Sequence, residues 1–368
     1  MKKIIYDEST IKSLDWIDHI RTRPGMYIGK LGSGLNADDG IYVLIKEVID
    51  NSIDEYVMGH GKKILFSVKN NKISIRDYGR GIPLGKIVDC VSKINTGGKY
   101  DTEAFKKSVG LNGVGLKAVN ALSESFTVQS YRDNKSKAAD FSRGKFLSET
   151  DIVDSNEKDG TRITFCPDSK IFIDYKIIDS IIEDRMWNYA FLNSGLSFVY
   201  NGKKYKSKNG LLDLLDKKML DRRKDYQIIH LASDDIELAF THGSQSNEDY
   251  LTYVNGQYTS QGGTHLSAFK EAYVRTIREH FKKNYTPADI RMSLVAALSI
   301  KIQNPIFESQ TKTKLGSNSM EDGGSTVRAF IMEFVKNKLD AYLHRNPSVA
   351  KIIQKKIIQS EKDRKDFE

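Results

Sequence analysis

Residues 40–58 read GIYVLIKEVIDNSIDEYVM, and the spacing of their apolar positions predicts the helix around which the fold is organised. At about 100° per residue, apolar and polar side chains separate onto opposite sides of such a helix. The apolar side carries Ile41, Ile45, Val48, Ile49 and Ile53, and the polar side carries Glu47, Asp50, Asn51 and Asp54. We therefore expect the apolar side to pack in a core and the polar side to face a ligand or solvent.

Glu47 and Asn51 lie one helical turn apart in this stretch, so both side chains can reach the same small object. A carboxamide oxygen is a hard ligand of the kind that Mg²⁺ takes, and a carboxylate can accept a proton from an attacking water. A metal-bound phosphate fits that pair. An ordinary amphipathic helix with a solvated acidic face is the alternative that this stretch alone leaves open.

A glycine-rich motif, DYGRGIP at residues 77–83, follows directly on an alternating hairpin pattern at residues 64–76. The two glycines of the motif allow the backbone to come close to a planar ligand. Asp77, at the end of the second predicted strand, offers an acceptor for an exocyclic amine. A glycine-rich turn with a surface aspartate remains equally open at this point.

Glycines 110, 113 and 115 precede an apolar helical stretch, the arrangement in which backbone N–H groups and a helix N-terminus bind phosphate. GVGLKA at 113–118 also fits the dinucleotide-binding fingerprint, with Asp133 beyond an apparent strand at 126–131. The segment 101–108 argues against that alternative, because it is polar where the fingerprint requires a buried strand. The phosphate-loop pattern G-x-x-x-x-G-K-[ST] does not occur in the sequence.

Length and composition set broad limits on the chain. At 368 residues it exceeds what one core usually supports, so two domains are expected. The formal charge of +9 favours a polyanionic partner and is weak evidence for DNA. Cys90 and Cys166 form neither a disulfide framework nor a metal motif, and no signal peptide or long apolar run is present. We expect a cytoplasmic protein with no membrane partner.

Taken in order, these motifs resemble the B-type subunits of bacterial type IIA DNA topoisomerases, gyrase or topoisomerase IV, within the GHKL ATPases. The resemblance is carried by Tyr6-Asp7 with Ile11, RPGMYIG (23–29), KEVIDNSIDE (46–55), DYGRGIP (77–83), TGGK (96–99), GLNGVG (110–115), VNALS (119–123), Gly160-Thr161, GGTH (262–265) and QTKTKLG (310–316). It implies an α/β (α+β) fold class: a GHKL/Bergerat ATP-binding α/β sandwich, then a second α/β transducer domain that ends in a long C-terminal helix. The expected domains are 1–220, with a dimerisation arm at about 1–15, and 221–368.

The resemblance also implies roles for individual residues. Glu47 would be the general base, Asn51 the Mg²⁺ ligand and Asp77 the adenine anchor, and Thr161 would support adenine through a water. Lys312 and Gln310, in a loop after a predicted buried strand at 292–302, would act catalytically at the γ-phosphate of ATP. The remaining nucleotide-binding residues would be Tyr6, Gly81, Ile82, Pro83, Gly97, Gly98, Lys99, Gly110, Leu111, Asn112, Gly113, Val114 and Gly115. Asn112 stands where gyrase usually has histidine, which leaves its side-chain contact in doubt.

The activity implied by the resemblance is ATP hydrolysis with Mg²⁺, which drives nucleotide-gated homodimerisation and DNA strand passage. Expected partners are a second copy of the chain, a DNA duplex, the A-type cleavage subunit and coumarin-type inhibitors. We expect this piece to be part of a longer subunit and to hydrolyse ATP without cutting DNA. The alternative is another GHKL protein, such as a MutL-type repair protein or a heat-shock chaperone. The choice between gyrase and topoisomerase IV stays open, and a Rossmann oxidoreductase is a distant third.

Sequence patterns beyond residue 220 predict the second domain. Alternating or apolar runs predict strands at 228–231, 236–240, 250–254 and 292–302, and helical periodicity predicts helices at 264–282, 326–342 and 349–368. A break at Asn346-Pro347 separates the last two helices. Lys351, Lys355 and Lys356 cluster on the final helix, where a DNA-facing surface and a solvated face explain them equally well.

Overall fold

A computed structural model describes residues 13–94, 96, 113–245, 247–308 and 312–367. Contacts divide these residues into two compact units. The first unit holds the described residues up to Met186 together with 197–205, and the second holds 187–196 and the chain from Lys206 onward. The boundary expected near residue 220 stays a prediction. Among the described helices, none combines the length and apolar character needed to cross a bilayer.

The sheet of the first unit is built from nine strands of the described chain: β1 (Lys63–Lys69), β2 (Lys72–Asp77), β3 (Ser123–Arg132), β4 (Lys135–Ser142), β5 (Lys145–Glu149), β6 (Val153–Asp154), β7 (Gly160–Pro167), β8 (Ser197–Tyr200) and β9 (Lys203–Tyr205). Their order is β5-β4-β3-β7-β2-β1-β8-β9, with β6 beside β4. Neighbours are antiparallel, apart from the parallel pair β1 and β8. The sheet therefore presents the start of β7 next to the end of β2.

Two hairpin turns test the sequence interpretation. Asn70-Asn71 joins β1 to β2 with φ of 49° and 62°, so the predicted hairpin is confirmed. Asp133-Asn134 joins β3 to β4 in the same way, with φ of 55° and 59°. Because β3 is antiparallel to both of its neighbours, it cannot belong to the parallel βαβ unit of a dinucleotide fold. The Rossmann alternative is therefore wrong, and Asp133 is a turn residue.

The helices of the first unit begin with α1 (Trp16–Thr22), α2 (Gly25–Ile28), α3 (Gly40–Val57), α4 (Ile87–Ser92) and α5 (Gly115–Ala121), and α6 (Asp179–Leu192) runs from it into the second unit. The stretch that opened the sequence analysis is α3, which packs against α5, β2 and β7. Its five predicted core positions are all buried. The solvated acidic face is wrong for two of its members, since Asp50 and Asp54 are only 3% and 2% exposed. The polar side of α3 faces protein as well.

The second unit is a five-stranded sheet with helices, all within the described residues: β10 (Ile229–Ser233), β11 (Ile236–His242), β12 (Asp249–Val254), β13 (Gln257–Tyr258), β14 (Leu294–Ile300), α7 (Leu211–Lys218), α8 (Thr264–Phe281), α9 (Pro287–Arg291), α10 (Val327–Arg345) and α11 (Pro347–Phe367). The order β10-β11-β14-β12-β13 makes β14 central, which explains its nearly continuous burial. Helix α7, which the sequence analysis treated as a connector, packs on β11 and β14. The predicted break between α10 and α11 is confirmed at Pro347.

Candidate functional site

Helix α3 presents Glu47 and Asn51 next to the first turn of α5. The Asn51 side-chain nitrogen donates to the carbonyl of Glu47 at 2.8 Å. A Cβ placed on Gly115 would lie only 1.8 Å from Glu47 Oε2, so the Glu47 carboxylate lies directly against the start of α5. Any larger residue at position 115 would displace that carboxylate. The structure therefore brings Glu47, Asn51 and Gly115 together, and their roles at a nucleotide stay predictions.

Asp77, at the end of β2, is held by backbone from two segments. Its Oδ1 accepts hydrogen bonds from the Gly79 nitrogen at 2.9 Å and from the Thr161 nitrogen at 3.1 Å. Its Oδ2 lies 3.5 Å from the Ser52 hydroxyl of α3. Burial raises the pKa of Asp77 to about 6, although the two backbone N–H groups act in the opposite direction. Asp77 and Thr161, both predicted for one base, are thus bonded to each other.

Glu55 of α3 holds the glycine-rich segment that follows Asp77. Glu55 holds Arg80 through a fork, with Oε1 at 2.9 Å from Nη2 and Oε2 at 3.0 Å from Nε, and it also accepts from the Arg80 backbone nitrogen at 2.9 Å. Burial raises the pKa of Glu55, but these bonds to Arg80 outweigh it and hold the pKa below its ordinary value. A Cβ on Gly79 would meet the Glu55 side chain at 2.6 Å. Only glycine allows this approach.

The same segment is fixed on its other side by β3. The Ser130 hydroxyl donates to the carbonyl of Ile82 at 2.7 Å. Gly81 has a φ of 75°, and a Cβ there would lie 2.4 Å from the Tyr131 carbonyl. Pro83 follows with a φ of −51°, the value that its ring imposes. Gly81, Ile82 and Pro83 therefore lie in a backbone segment supported by two elements, and their predicted place at a nucleotide pocket stays a prediction.

Arg76 is a buried cation that the sequence analysis did not single out. Its guanidinium is 4.8 Å from the centroid of the Tyr78 ring and 4.3 Å from that of Tyr131. It donates to the carbonyls of Asp77 and Lys158. Burial lowers the pKa of Arg76. The alternation of KISIRD places Arg76 on the polar side of the strand with Lys72 and Ser74, so the sequence pattern gave no signal for its burial.

Lys117 of α5 is a second buried cation that the sequence analysis passed over. It is 3% exposed, and its ammonium donates to the carbonyls of Thr96 at 2.7 Å and Gly113 at 2.6 Å. These two residues flank the segment 97–112. A lysine within the otherwise apolar run of α5 was the signal that could have identified it. Lys117 therefore links the residues at both ends of that segment.

Several predicted site residues lie outside the residues that the structure describes: Tyr6, Gly97, Gly98, Lys99, Gly110, Leu111, Asn112 and Gln310. Their roles stay predictions. Val114 is the residue before α5, and Gly113, with a φ of 60°, precedes it. Lys312 belongs to the second unit, where it is half-buried with a φ of 56°. Its role at a phosphate also stays a prediction.

The chemistry of these groups fits a purine nucleotide with a hard cation. Asp77 is a buried acceptor of the kind that can bind the exocyclic amine of a purine. Glu47 and Asn51 supply oxygen donors of the type that Mg²⁺ takes. Mg²⁺ is commonly held by only one or two protein groups together with substrate phosphates, so a short list of protein ligands is sufficient.

Comparisons with known proteins identify families and relatives that the chain is similar to. Residues 36–171 match the family described as histidine kinase-, DNA gyrase B-, and HSP90-like ATPase, and residues 200–368 match DNA gyrase B. The chain is 50% identical over 367 residues to the B-type subunit of DNA topoisomerase 4 from Borreliella burgdorferi, covering all of this chain and 60% of that relative. The B-type subunit of DNA gyrase from Clostridium acetobutylicum is 32% identical, with 99% of this chain and 60% of the relative covered. The chain thus spans about three-fifths of these relatives.

A solved structure covers almost the whole chain. The 43K ATPase domain of Thermus thermophilus gyrase B, in complex with an aminocoumarin, superposes with a TM-score of 0.77. The two share 28% sequence identity, and 95% of each chain is covered. The α/β architecture predicted from the motifs is therefore confirmed.

Proposed function

The chain belongs to the family of B-type subunits of bacterial type IIA DNA topoisomerases, gyrase and topoisomerase IV, and from this premise we propose that it binds and hydrolyses ATP as the clamp of such a subunit. One observation carries the proposal. Helix α3 brings Glu47 against Gly115 and, one turn further on, Ser52 against Asp77, which is itself bonded to Thr161. The groups proposed to bind the base and the groups proposed to act at the phosphates therefore both contact helix α3.

Adenine is assigned to the Asp77 end of this site. Since Oδ1 of Asp77 already accepts two backbone N–H groups, Oδ2 is the oxygen that we assign to the exocyclic amine. The backbone nitrogen of Thr161 donates a hydrogen bond to Asp77 and so keeps Thr161 beside it. This position supports the proposed contact of Thr161 with the base through a water. Gly81, Ile82 and Pro83 line the rim, where their fixed backbone excludes water from one side of the ring.

The phosphates are assigned to the Glu47 end. Gly113, Val114 and Gly115 lead into α5, so their backbone N–H groups precede a helix N-terminus, which attracts anions. Glu47 accepts a proton from the attacking water as general base. Mg²⁺, when bound, supplies charge neutralisation on the phosphates, and Asn51 would provide a ligand oxygen. Lys312 and Gln310 are proposed to act at the γ-phosphate, where transition-state charge grows.

The proposed partners follow from the family. They are a second copy of the chain in the ATP state, joined through the arm that contains Tyr6, a DNA duplex and an A-type cleavage subunit. The Thermus relative binds an aminocoumarin, and we propose that coumarin-type inhibitors compete with ATP here at the rim near Arg80 and Pro83. A DNA topoisomerase acts where the chromosome is, so we assign the chain to the cytoplasm and the nucleoid.

The test of this function is a steady-state ATPase assay on the purified chain, with and without Mg²⁺. We expect ATP hydrolysis that stops when Mg²⁺ is chelated and that an aminocoumarin inhibits competitively. Binding of ATP should be measured separately by calorimetry with a non-hydrolysable analogue. Absence of both binding and hydrolysis would overturn the proposal. Binding without hydrolysis would reduce the chain to a nucleotide-dependent binding module.

A further inference from the structure

Three potential metal ligands meet on two helices of the second unit. His280 lies near the end of α8, and Asp340 and His344 lie one turn apart on α10. One ligand atom from each residue can be chosen so that all three lie within 4.8 Å of one another. Every histidine and cysteine of the chain lies within the described residues, and among those residues this is the one such group found.

The three side chains already interact through a single carboxylate. Asp340 Oδ1 is 2.8 Å from His280 Nδ1 and 3.4 Å from His344 Nδ1. The two imidazole rings meet edge to face, with centroids 4.6 Å apart and an angle of 77° between their planes. They border a cavity of about 150 Å³ that has room for an ion and its water. Because α8 and α10 pack along each other, the ligands are mounted on rigid backbone.

We propose that His280, Asp340 and His344 bind a divalent transition-metal ion of the Zn²⁺ class, with water as a fourth ligand. Two imidazole nitrogens and one carboxylate oxygen form an open three-residue set of the kind that Zn²⁺ accepts. A tetrahedral site with bonds of about 2.0–2.1 Å separates its ligand atoms by about 3.3–3.4 Å. Ligand atoms that now lie within 4.8 Å of one another would therefore have to move closer together, and His344 Nδ1 would have to give up its 2.9 Å contact with the Asp340 backbone carbonyl if it is the ligand atom. The nitrogen ligands disfavour Mg²⁺, so this site is distinct in chemistry from the one at Asn51.

The charges around the cavity permit a cation. Lys282 and Lys336 both border it, but the Lys336 ammonium is 3.3 Å from a Glu279 carboxylate oxygen, and Glu279 borders the cavity as well. The other Glu279 oxygen binds Arg275 at 2.8 Å. Asp340 adds a further negative charge at the ion itself. His280, which is the least exposed of the three ligands, would be oriented by its contact with the Phe281 ring.

The ion would link the C-terminal ends of α8 and α10. His280 is one residue from the end of α8, and His344 is one residue from the end of α10. Directly after α10, Asn346 and Pro347 lead into α11, the final helix of the described chain. A metal at this site would therefore fix the end of α10 immediately before the chain changes direction. This inference does not rest on the proposed nucleotide chemistry.

The experiment uses the chain without a histidine tag, stripped with a chelator and free of nucleotide. Zn²⁺ is titrated by calorimetry, Co²⁺ by visible absorption, and the melting temperature is recorded with each ion. We expect one ion per chain, a Co²⁺ d–d spectrum without a thiolate charge-transfer band, and a rise in melting temperature of at least about 3 °C at saturation. Stoichiometric binding that reports thiolate ligation would contradict the assignment.

Two variants decide whether the binding site is this one. His344→Ala removes an exposed ligand, so folding should persist, and Asp340→Asn removes the shared carboxylate while keeping its shape. Each should weaken Zn²⁺ binding at least about tenfold and abolish the rise in melting temperature. His60→Ala, an exposed histidine of the first unit, is the matched control and should bind like the unaltered chain. Unchanged affinity in both ligand variants, or no binding at all, would overturn the proposal.

Discussion

At the scale of single residues, Asp77 shows how a proposed binding group lowers the stability of the fold that carries it. Its carboxyl is nearly enclosed, and burial raises its pKa to about 6, above the value near 3.9 of an unfolded chain. A raised carboxyl pKa contributes stability that is fully present below about pH 4 and is lost as the pH rises through 6. At neutral pH the ionised Asp77 therefore destabilises the nucleotide-free protein. A role as hydrogen-bond acceptor for a ligand would explain why a destabilising carboxylate is found at this position.

The first prediction follows from that cost. Asp77→Asn should raise the free energy of unfolding of the nucleotide-free chain by about 1–3 kcal/mol at pH 7.5 and by less than about 1 kcal/mol at pH 4.5. The same variant should also bind ATP more weakly. The amide has a single oxygen, which can accept either from the backbone N–H groups or from the base, and the hydrogen bond left unmade should cost about 1–3 kcal/mol of binding free energy. Urea unfolding across this pH range and calorimetry measure the two effects.

The control for Asp77 is Asp133→Asn, in an exposed hairpin turn where asparagine also tolerates a φ of 55°. It should change neither the pH dependence of stability nor ATP affinity. If Asp77→Asn behaved like this control in both measurements, Asp77 would not be the adenine anchor.

The second prediction concerns Glu47. Glu47→Gln keeps the shape of the side chain against Gly115 but removes the proton acceptor, so ATP turnover should fall by roughly 10²- to 10⁴-fold while ATP still binds. Single-turnover hydrolysis and analogue binding separate the two effects. Glu183→Gln, which weakens the ion pair with Lys203 away from Glu47 in the sequence, should leave turnover unchanged. Turnover of Glu47→Gln within a few-fold of the unaltered chain would remove the base assignment.

At the scale of elements, the close approach of α3 and α5 shapes the proposed phosphate end of the site. The approach depends on the absence of a side chain at Gly115, since a Cβ there would lie 1.8 Å from Glu47 Oε2. Lys117 on the same helix bonds the carbonyls of Thr96 and Gly113. Helix α5 thus orients the proposed base on one side and links the residues that flank 97–112 on the other.

The third prediction belongs to this helix pair. Gly115→Ala should lower ATP turnover by at least about tenfold, because the new methyl group forces the Glu47 carboxylate away from its position, and misplaced catalytic groups are costly. Helix formation itself should not suffer, since alanine is the better helix former. Gly85→Ala is the matched control, with nothing within 4 Å of the added methyl group. Equal turnover in both variants would show that α5 does not position Glu47.

At the scale of the whole molecule, the proposed clamp requires that nucleotide state and association be coupled. We expect the chain to be a dimer with a non-hydrolysable ATP analogue and mostly a monomer with ADP or without nucleotide. Deleting residues 1–12 should abolish the dimer, because the arm is proposed to contact the partner. Light scattering under the three conditions measures the mass. A monomer in all of them would leave an ATP-binding fold without a clamp.

The last prediction tests the contribution of the second unit to hydrolysis. Lys312→Met should bind ATP but hydrolyse it slowly, since the charge is needed most in the transition state. Both residues are L-amino acids at a φ of 56°, so the substitution should not alter backbone strain. Lys314→Met, which removes a neighbouring lysine paired with Glu308, should retain activity. Full activity of Lys312→Met would remove Lys312 from the proposed mechanism.

Local periodicity and motif chemistry determined much of this protein in advance. The 3.6-residue period of α3 placed its isoleucines inside, the Asn70-Asn71 turn predicted the β1–β2 hairpin, and the strands and helices after residue 220 followed their patterns. These features depend on residues within a few positions of one another, which is the range over which helices, strands and turns form. The motifs also predict the residues of a nucleotide site by their side-chain chemistry, and those assignments stay predictions.

Only the tertiary structure decided which residues meet across long stretches of chain. The burial of Asp50 and Asp54 overturned a solvated acidic face, and the bonds from Ser52 and Thr161 to Asp77 join positions far apart in sequence. The His280, Asp340 and His344 cluster arises in the same way, from two helices that pack side by side. Such contacts follow from packing of whole elements, and a period read along one segment carries no information about the partner that covers it.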